Sequence, residues 1–239
     1  MTRADTAHPG LVHEIGEIVT TVAIPHHEPP AVVLRRRIVV AAVLVIGAAL
    51  LGYSLARHPG DGSFYWLMVA VAGVWAVGAF ASGPLHLGSI RLRGRNQRPA
   101  ISGTAIGLAL GGLFLLGGLV AKQIPGLTDY VSSVLRFANF GAFALVVLIT
   151  LINAFAEELF FRGALYTALG RAYPTVISTV LYVAAVAATR NPMLVFAAIV
   201  LGTVCALERR ATGGVLAPIL THVFWGLLMV LWLPPIFGL

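Results

Sequence analysis

The sequence predicts an all-α protein, a polytopic transmembrane helical bundle of about seven spans. Hydrophobic residues make up 59% of its 239 residues and charged residues only 10%, whereas a soluble domain has roughly 25% charged residues. The apolar residues fall into runs that approach the ~20 residues a helix needs to cross a bilayer. Most of the basic residues lie between these runs. We therefore expect an integral membrane protein without a separate soluble domain.

The apolar runs predict spans near residues 38–56, 64–85, 100–121, 140–168, 174–189, 193–208 and 214–235. Residues 1–34 are comparatively polar, so we expect either a disordered tail or a short helix lying on the membrane surface. Residues 35–239 then form one transmembrane domain. The segment 123–137 is too polar to span, and it predicts an outer loop or an interfacial helix.

Histidine and cysteine usage restricts the kinds of site the chain can form. The N-terminal tail contains His8, His13, His26 and His27, but their spacing alone does not make a metal site. The single cysteine, Cys205, lies in an apolar stretch and excludes both an intramolecular disulfide and a cysteine-based zinc cluster. We interpret it as a small buried hydrophobic residue.

The arginines are distributed unevenly between the two sets of connections. One set holds Arg35, Arg36, Arg37, Arg91, Arg93, Arg95, Arg98, Arg171, Arg209 and Arg210; the other holds Arg57, Lys122, Arg136 and Arg190. Cytoplasmic loops carry the excess of basic residues, which predicts a cytoplasmic N-terminus and, with an odd number of spans, a C-terminus outside. We expect a bacterial-type plasma membrane protein whose net charge of +7 reflects this bias and not a nucleic-acid partner.

Two adjacent carboxylates, Glu157 and Glu158, interrupt the fourth apolar run. A carboxylate at membrane depth is costly unless it is paired, protonated or in a wet cavity, so it indicates function by default. Glu158 and Arg162 are four residues apart and can pair on one helical face. Glu157 projects about 100° away and can face a cavity as a general base, with Asn153 one turn earlier placed to hydrogen-bond it. The alternative is a purely structural ion pair with a spare glutamate.

His222 is the histidine that lies within a clear apolar span. It is about 18 Å along its helix from Arg210, and Glu158 is about 20 Å in from Arg171, at 1.5 Å per residue. The two side chains can therefore meet at one depth. The alternative interpretation is a histidine that only fills the core.

These residues resemble the motifs of a known membrane-protein family. The stretch Glu157-Glu158-Leu-Phe-Phe-Arg162 is similar to the first motif, EExxxR, of the CAAX-protease and bacteriocin-processing (CPBP) family, and residues 210–222 resemble the approach to its third motif, HxxxN/D. The resemblance covers about residues 140–235. It implies a helical bundle with an intramembrane cavity opening toward the cytoplasm. It also implies an endopeptidase in which a glutamate and a histidine activate water to cleave a membrane-associated peptide or protein.

The sequence departs from the family pattern at two positions. The second motif, FxxxH, aligns with Tyr182 and Val186, so valine stands where the family has histidine. In the third motif Gly226 stands where the family has asparagine or aspartate. By resemblance, the partner of the base and an oxyanion donor are both missing.

A metal cofactor is poorly supported by the available ligands. A catalytic zinc normally takes three protein ligands, and Glu157 or Glu158 with His222 provides at most two or three, of which one is nitrogen. We expect either no cofactor or a weakly held divalent metal such as zinc on Glu158 and His222. Asn191 and Glu208 are expected near helix ends, at a different depth.

Three functional hypotheses remain open. The first is a CPBP-type intramembrane endopeptidase with catalytic Glu157, Glu158, Arg162 and His222 and a reduced site. The second is a catalytically inactive relative that binds or chaperones a membrane partner, as Val186 and Gly226 suggest. The third is a small proton-linked transporter with the same acids and histidine as a relay, although the chain lacks the paired interrupted helices of such carriers.

Overall fold

The computed structural model describes residues 16, 20–23, 28–92, 95–140 and 142–239, and within these ranges the chain is almost entirely helical. The eight helices are α1 Pro30–Leu55, α2 Ser63–Ser82, α3 Ala100–Ala121, α4 Leu127–Asn139, α5 Phe143–Leu169, α6 Pro174–Ala187, α7 Pro192–Thr212 and α8 Leu216–Ile236. A short hairpin pairs β1 Ile90–Leu92 with β2 Arg95–Gln97 in antiparallel orientation. The predicted all-α class is confirmed.

The helices agree closely with the predicted spans. Within the described ranges, six are long and apolar enough to cross a membrane: α1, α2, α3, α5, α7 and α8. The predicted fifth span is present as α6, an apolar helix of 14 residues, shorter than the ~20 that a full crossing takes. The polar segment predicted as a loop or interfacial helix forms the amphipathic α4. The protein is an integral membrane protein.

The first span begins earlier than predicted, because α1 starts at Pro30 and not near residue 38. Proline suits the first turn of a helix, whose N–H groups have no helical acceptor. Arg36 is then inside the helix and fully buried. Its guanidinium donates to Glu28, Ser82 Oγ and the Pro84 carbonyl, which compensates the burial of its charge. The four tail histidines, residues 8, 13, 26 and 27, lie outside the described residues.

The bundle has two faces that differ in their content of basic residues. The arginine-rich face comprises the start of α1 and the connections 83–92, 95–99, 170–173 and 213–215. The arginine-poor face comprises the connections 56–62, 122–126 and 188–191 and the C-terminus. Hydrogen bonds join segments within each face: Arg37 to Ala168 and Ser89 to Thr212 on the first, Asn191 to Tyr130 and Tyr65 to Phe137 on the second. The predicted sorting of connections is confirmed, while the cytoplasmic location of the arginine-rich face stays a prediction.

Helix α3 packs closely along α8 through its glycines. A Cβ on Gly107 would lie 2.6 Å from the Thr221 carbonyl oxygen, and one on Gly111 would lie 2.5 Å from Leu228 Cδ1. Side chains at these positions would force the helices apart, as expected of small residues at a membrane helix interface. Thr221 Oγ1 lies 2.9 Å from the Gly103 carbonyl oxygen across the same interface. This packing fixes the position of α8, which carries His222.

Candidate active site

Helix α5 changes its winding directly after the acidic pair. Residues Phe143–Glu158 are α-helical, Leu159–Leu165 form a π-helix, and Tyr166–Leu169 return to α-helix. All seven π-helical residues are buried. Such segments are rare and are found frequently at functional sites. The sequence did not predict this feature, because the apolar pattern of these residues is equally compatible with an ordinary α-helix.

Glu158 is the centre of a buried polar cluster. Its Oε1 accepts a hydrogen bond from Arg162 Nη1 at 3.0 Å and lies 2.8 Å from His222 Nδ1. Glu158 and Arg162 are fully buried. Arg162 Nη2 also donates to the Gly202 carbonyl on α7 at 2.9 Å. The predicted Glu158–Arg162 pair is confirmed, and so is the expectation that His222 meets the acidic pair at one depth.

The shared acceptor fixes the orientation of the His222 imidazole. Because Arg162 donates to Glu158 Oε1, that oxygen acts as an acceptor. His222 must then donate through Nδ1–H, which leaves Nε2 as the nitrogen available for other contacts. His222 also lines a cavity, described below, together with Glu157. The arrangement resembles other carboxylate–histidine pairs, in which the carboxylate holds the imidazole in one tautomer.

Glu157 has a different environment from Glu158, as its position on the helix predicted. It lines the cavity and is only partly buried. The Tyr182 hydroxyl donates to Glu157 Oε2 at 2.9 Å. The Tyr182 ring packs edge-on against Phe161, and the Arg162 guanidinium lies over its face at 4.6 Å. Tyr182 therefore contacts both charged groups, a role that the sequence indicated only through the aromatic position of the second motif.

The expected hydrogen bond from Asn153 to Glu157 is absent from the described residues, and that prediction was wrong. Asn153 Nδ2 donates instead to the Ile149 carbonyl one turn earlier and to the Met68 carbonyl on α2. These two backbone carbonyls accept hydrogen bonds from both N–H groups of the side-chain amide. Asn153 Oδ1 is buried and has no hydrogen-bond partner among the described residues.

A cavity of about 300 Å³ adjoins this cluster. Its walls are largely aliphatic and aromatic, with isolated polar side chains such as Tyr65, Thr150 and Thr189, and Glu157, Tyr182 and His222 lie at its deep end. Val186 and Gly226 also line it. The structure thus brings the three motif regions together, with apolar surface where the family pattern has histidine and asparagine.

The cavity lies on the arginine-poor side of the acidic pair. In each helix, the residues that line the cavity lie between the level of Glu157 and the arginine-poor face. Examples are Leu51 and Leu55 at the end of α1, Phe64 and Met68 at the start of α2, and Pro234 near the end of α8. The expected cytoplasmic opening and the expected cytoplasmic location of the arginine-rich face are therefore incompatible.

The residues considered as metal ligands are arranged for hydrogen bonding. Among the described residues, no group of three or more His, Cys, Asp or Glu side chains is placed to hold a metal ion. Glu158 and His222 contact each other directly, so a metal between them would replace that hydrogen bond. Asn191 caps the start of α7, and Glu208 Oε1 lies 2.8 Å from Thr221 Oγ1. A weak metal site on Glu158 and His222 stays a prediction.

Comparison with known proteins supports the motif assignment. Residues 139–228 match the family model described as Rce1-like, type II CAAX prenyl endopeptidase Rce1-like. No curated protein and no solved structure matches the chain. The matched range contains Glu157, Glu158, Arg162 and His222 and nearly coincides with the predicted core at 140–235. Residues 139–228 of this membrane protein are therefore similar to the Rce1-like family, in agreement with the resemblance to the CPBP family.

Proposed function

We propose that this protein is an intramembrane endopeptidase that hydrolyses a membrane-associated peptide or protein, with water activated by Glu157 and His222. The observation that supports this function most directly is the hydrogen bond between His222 and Glu158 at the deep end of the cavity. It orients an imidazole beside a second carboxylate in a site walled by apolar side chains. The Rce1-like match supports the same reaction class.

The two glutamates have separate roles in this proposal. Glu158 forms an ion pair with Arg162 and orients His222, so it is a positioning residue. Glu157 borders the cavity with Tyr182 on one oxygen, and it acts with His222 Nε2 as the general base. Two carboxylates in unlike environments commonly divide their work in this way.

The reaction follows from these positions. Glu157 or His222 accepts a proton from water as the water oxygen bonds to the peptide carbonyl carbon. The resulting tetrahedral oxyanion collapses, the C–N bond breaks, and the same base returns its proton to the departing amine. Val186 and Gly226 provide no side-chain hydrogen-bond donor for the oxyanion. Since one such donor contributes about 10²–10³ in kcat, we expect slow turnover.

The test is cleavage of a membrane-anchored reporter peptide by purified protein in lipid vesicles. Native protein should release product slowly, and His222→Ala and Glu157→Ala should abolish release. Cys205→Ala is the matched control, because this buried thiol lies outside the cavity lining and its loss should leave cleavage unchanged. Release that persists in both His222→Ala and Glu157→Ala would contradict the mechanism.

The second candidate is a catalytically inactive Rce1-like protein that binds a membrane partner in the same cavity. The apolar Val186 and the side-chain-free Gly226 at the cavity wall favour it. In that case native protein should release no product, while a photoreactive analogue of the reporter should still crosslink to it. Crosslinking without cleavage would identify this function, and cleavage lost on His222→Ala would exclude it.

A further inference from the structure

We infer that the cavity receives its substrate from the non-cytoplasmic side of the membrane, and that this substrate is an extended, largely apolar polypeptide segment presented at that surface. The substrate class rests on the proposed peptidase function. The direction of access rests only on cavity geometry and on the distribution of charge, and it differs from the cytoplasmic opening that the family resemblance implies.

The cavity extends in one direction only. Its deepest lining residues are at the level of Glu157, Tyr182, Leu201 and His222, near the middle of their helices, and the rest lie toward the arginine-poor face. Seen along α5, the lining runs from Glu157 back to Val146, near the helix start. A polypeptide segment reaching the acidic pair through this cavity must therefore come from the arginine-poor face.

The opposite direction is closed by packed side chains and backbone. All residues of the π-helical Leu159–Leu165 are buried, and the Phe160 ring lies 4.7 Å from the ring of buried Trp75. Nearer the arginine-rich face, a Cβ on Gly214 would overlap the backbone nitrogen of Gly88. These groups are tightly packed, and the lining of the cavity does not continue past the level of Glu157 in this direction.

The charge distribution places the packed end in the cytoplasm. Among the described residues, the exposed arginines of the arginine-rich face are Arg35, Arg37, Arg91, Arg95, Arg98 and Arg171, and Arg36, Arg209 and Arg210 belong to the same end. The arginine-poor face has Arg57, Lys122, Arg136 and Arg190. Orientation follows this excess of basic residues near the ends of spans, so the cavity opens on the non-cytoplasmic side.

Helix α4 marks the membrane surface beside the cavity entrance. Val134, Leu135 and Phe137 on this helix line the cavity, while Asp129 and Arg136 are exposed. An amphipathic helix of this kind lies in the interface between lipid and water. The cavity therefore extends from the surface level of the membrane to the depth of the acidic pair.

The walls of the cavity indicate what can occupy it. Aliphatic and aromatic side chains form most of the lining, isolated hydroxyls such as those of Thr150 and Thr189 lie among them, and Glu157, Tyr182 and His222 are at the deep end. A volume of about 300 Å³ is at the lower end of the range for ligand pockets. It suits a few apolar residues in extended conformation with one peptide bond at the deep end, and it excludes a folded domain.

The direction of access can be measured by cysteine labelling in the Cys205→Ala background. Three single-cysteine variants report on three locations: Thr150→Cys in the cavity, Ser63→Cys on the arginine-poor face and Asn96→Cys on the arginine-rich face. A small charged methanethiosulfonate is applied to intact cells and, separately, to inside-out membrane vesicles. Labelling in detergent establishes that each thiol can react.

In intact cells we expect Thr150→Cys and Ser63→Cys to react and Asn96→Cys to stay unlabelled. In inside-out vesicles the pattern should reverse. The inference would be overturned if Thr150→Cys and Asn96→Cys react in the same preparation. It would also be overturned if Thr150→Cys is protected from the reagent on both sides of the membrane. Reaction of Asn96→Cys in intact cells would overturn the cytoplasmic location of the arginine-rich face, and with it the non-cytoplasmic access.

Labelling does not require catalysis, so its result is independent of the proposed peptidase activity. The substrate class is tested with two anchored reporters in cells that differ only in which side of the membrane carries the apolar cleavage segment. Only the reporter that exposes the segment outside the cytoplasm should be cut. Cleavage of the cytoplasmic reporter would overturn the inference. If the labelling pattern is as expected but neither reporter is cleaved, the proposed peptidase function and the substrate class are contradicted, and the route of access is still supported.

Discussion

The Nδ1 atom of His222 donates a hydrogen bond to Oε1 of Glu158 across 2.8 Å, joining α8 to α5 over a separation of 64 residues. The same oxygen accepts from Arg162. Glu158 thus both neutralises the buried Arg162 cation and orients the His222 imidazole. Substitutions here affect folding as well as chemistry, so each change requires a paired variant that separates the two effects.

Glu158→Gln should destabilise the protein more than Glu157→Gln. The amide leaves the fully buried Arg162 without its counter-charge, and breaking a buried ion pair by removing one partner costs about 3–5 kcal/mol. Glu157 borders the cavity, and glutamine at this position keeps a carbonyl oxygen that can accept from the Tyr182 hydroxyl. Thermal unfolding of both variants in the same detergent measures the difference.

The double change Glu158→Gln with Arg162→Met provides the control for this pair. It removes the cation together with the carboxylate, so it should recover most of the stability that Glu158→Gln loses. Equal unfolding temperatures for native protein and Glu158→Gln would show that the pair contributes nothing to stability.

Tyr182→Phe should lower turnover with little effect on stability. The change removes the hydroxyl that donates to Glu157 and keeps the ring that packs on Phe161 and Arg162. A positioned general base contributes about 10²–10⁴ to the rate, and a Glu157 side chain no longer held by Tyr182 should lose part of it, so we expect kcat to fall by about ten-fold or more. Tyr166→Phe, which loses a hydroxyl contact with Thr175, is the matched control. Equal kcat for the two variants would exclude a positioning role for Tyr182.

Val186→His with Gly226→Asn should raise the rate of reporter cleavage by orders of magnitude. Both positions line the cavity, and a Cβ on Gly226 would meet only Thr150 Cγ2, at an ordinary 3.6 Å. Each restored group would act mainly on the transition state, where one oxyanion donor contributes about 10²–10³.

Adding Glu157→Ala or His222→Ala to the restored variant should remove the gained activity. Each single change, Val186→His or Gly226→Asn, should give a smaller gain than the pair. A folded double variant that cleaves no faster than native protein would show that the cavity does not position a peptide bond at these residues.

Gly107→Ala should destabilise the bundle, and Gly112→Ala in the same helix should not. A methyl group at Gly107 would meet the Thr221 backbone on α8, whereas no atom lies within 4 Å of a Cβ at Gly112. Overpacking typically costs about 1–3 kcal/mol, while alanine in place of glycine favours a helix by up to about 1 kcal/mol. Thermal unfolding in detergent should therefore shift in opposite directions, and a common shift would contradict the close α3–α8 packing.

Asn191→Asp should loosen α4 and leave the start of α7 intact. Asn191 Oδ1 accepts from the backbone N–H groups of Met193 and Leu194, and its Nδ2 donates to Tyr130 and Ser133 on α4. Aspartate keeps the capping acceptor and loses the donor. Hydrogen exchange should accelerate in residues 127–139 but not in 192–195, whereas Asn191→Ala should accelerate both. Faster exchange at α7 alone would contradict this division.

Several features of the protein depend only on the order of residues. The apolar runs determined the spans, because a helix in lipid satisfies its backbone groups internally and needs only enough apolar length. The i,i+4 spacing determined the Glu158–Arg162 pair, and the alternation of charged connections determined the two faces. Each of these is a local or periodic property of the chain.

Tertiary packing decided the features that join distant segments. Three features depend on which helices lie side by side. They are the π-helical winding after Glu158, the hydrogen bonds of Asn153 to two backbone carbonyls in place of Glu157, and the contact of Tyr182 with Glu157. The rings of Trp75, Phe160 and Phe161 pack together on the arginine-rich side of the acidic pair, and the cavity lies on the opposite side. Spacing along one helix cannot specify such contacts, since they are set by the shapes and donors of helices that meet only in the folded bundle.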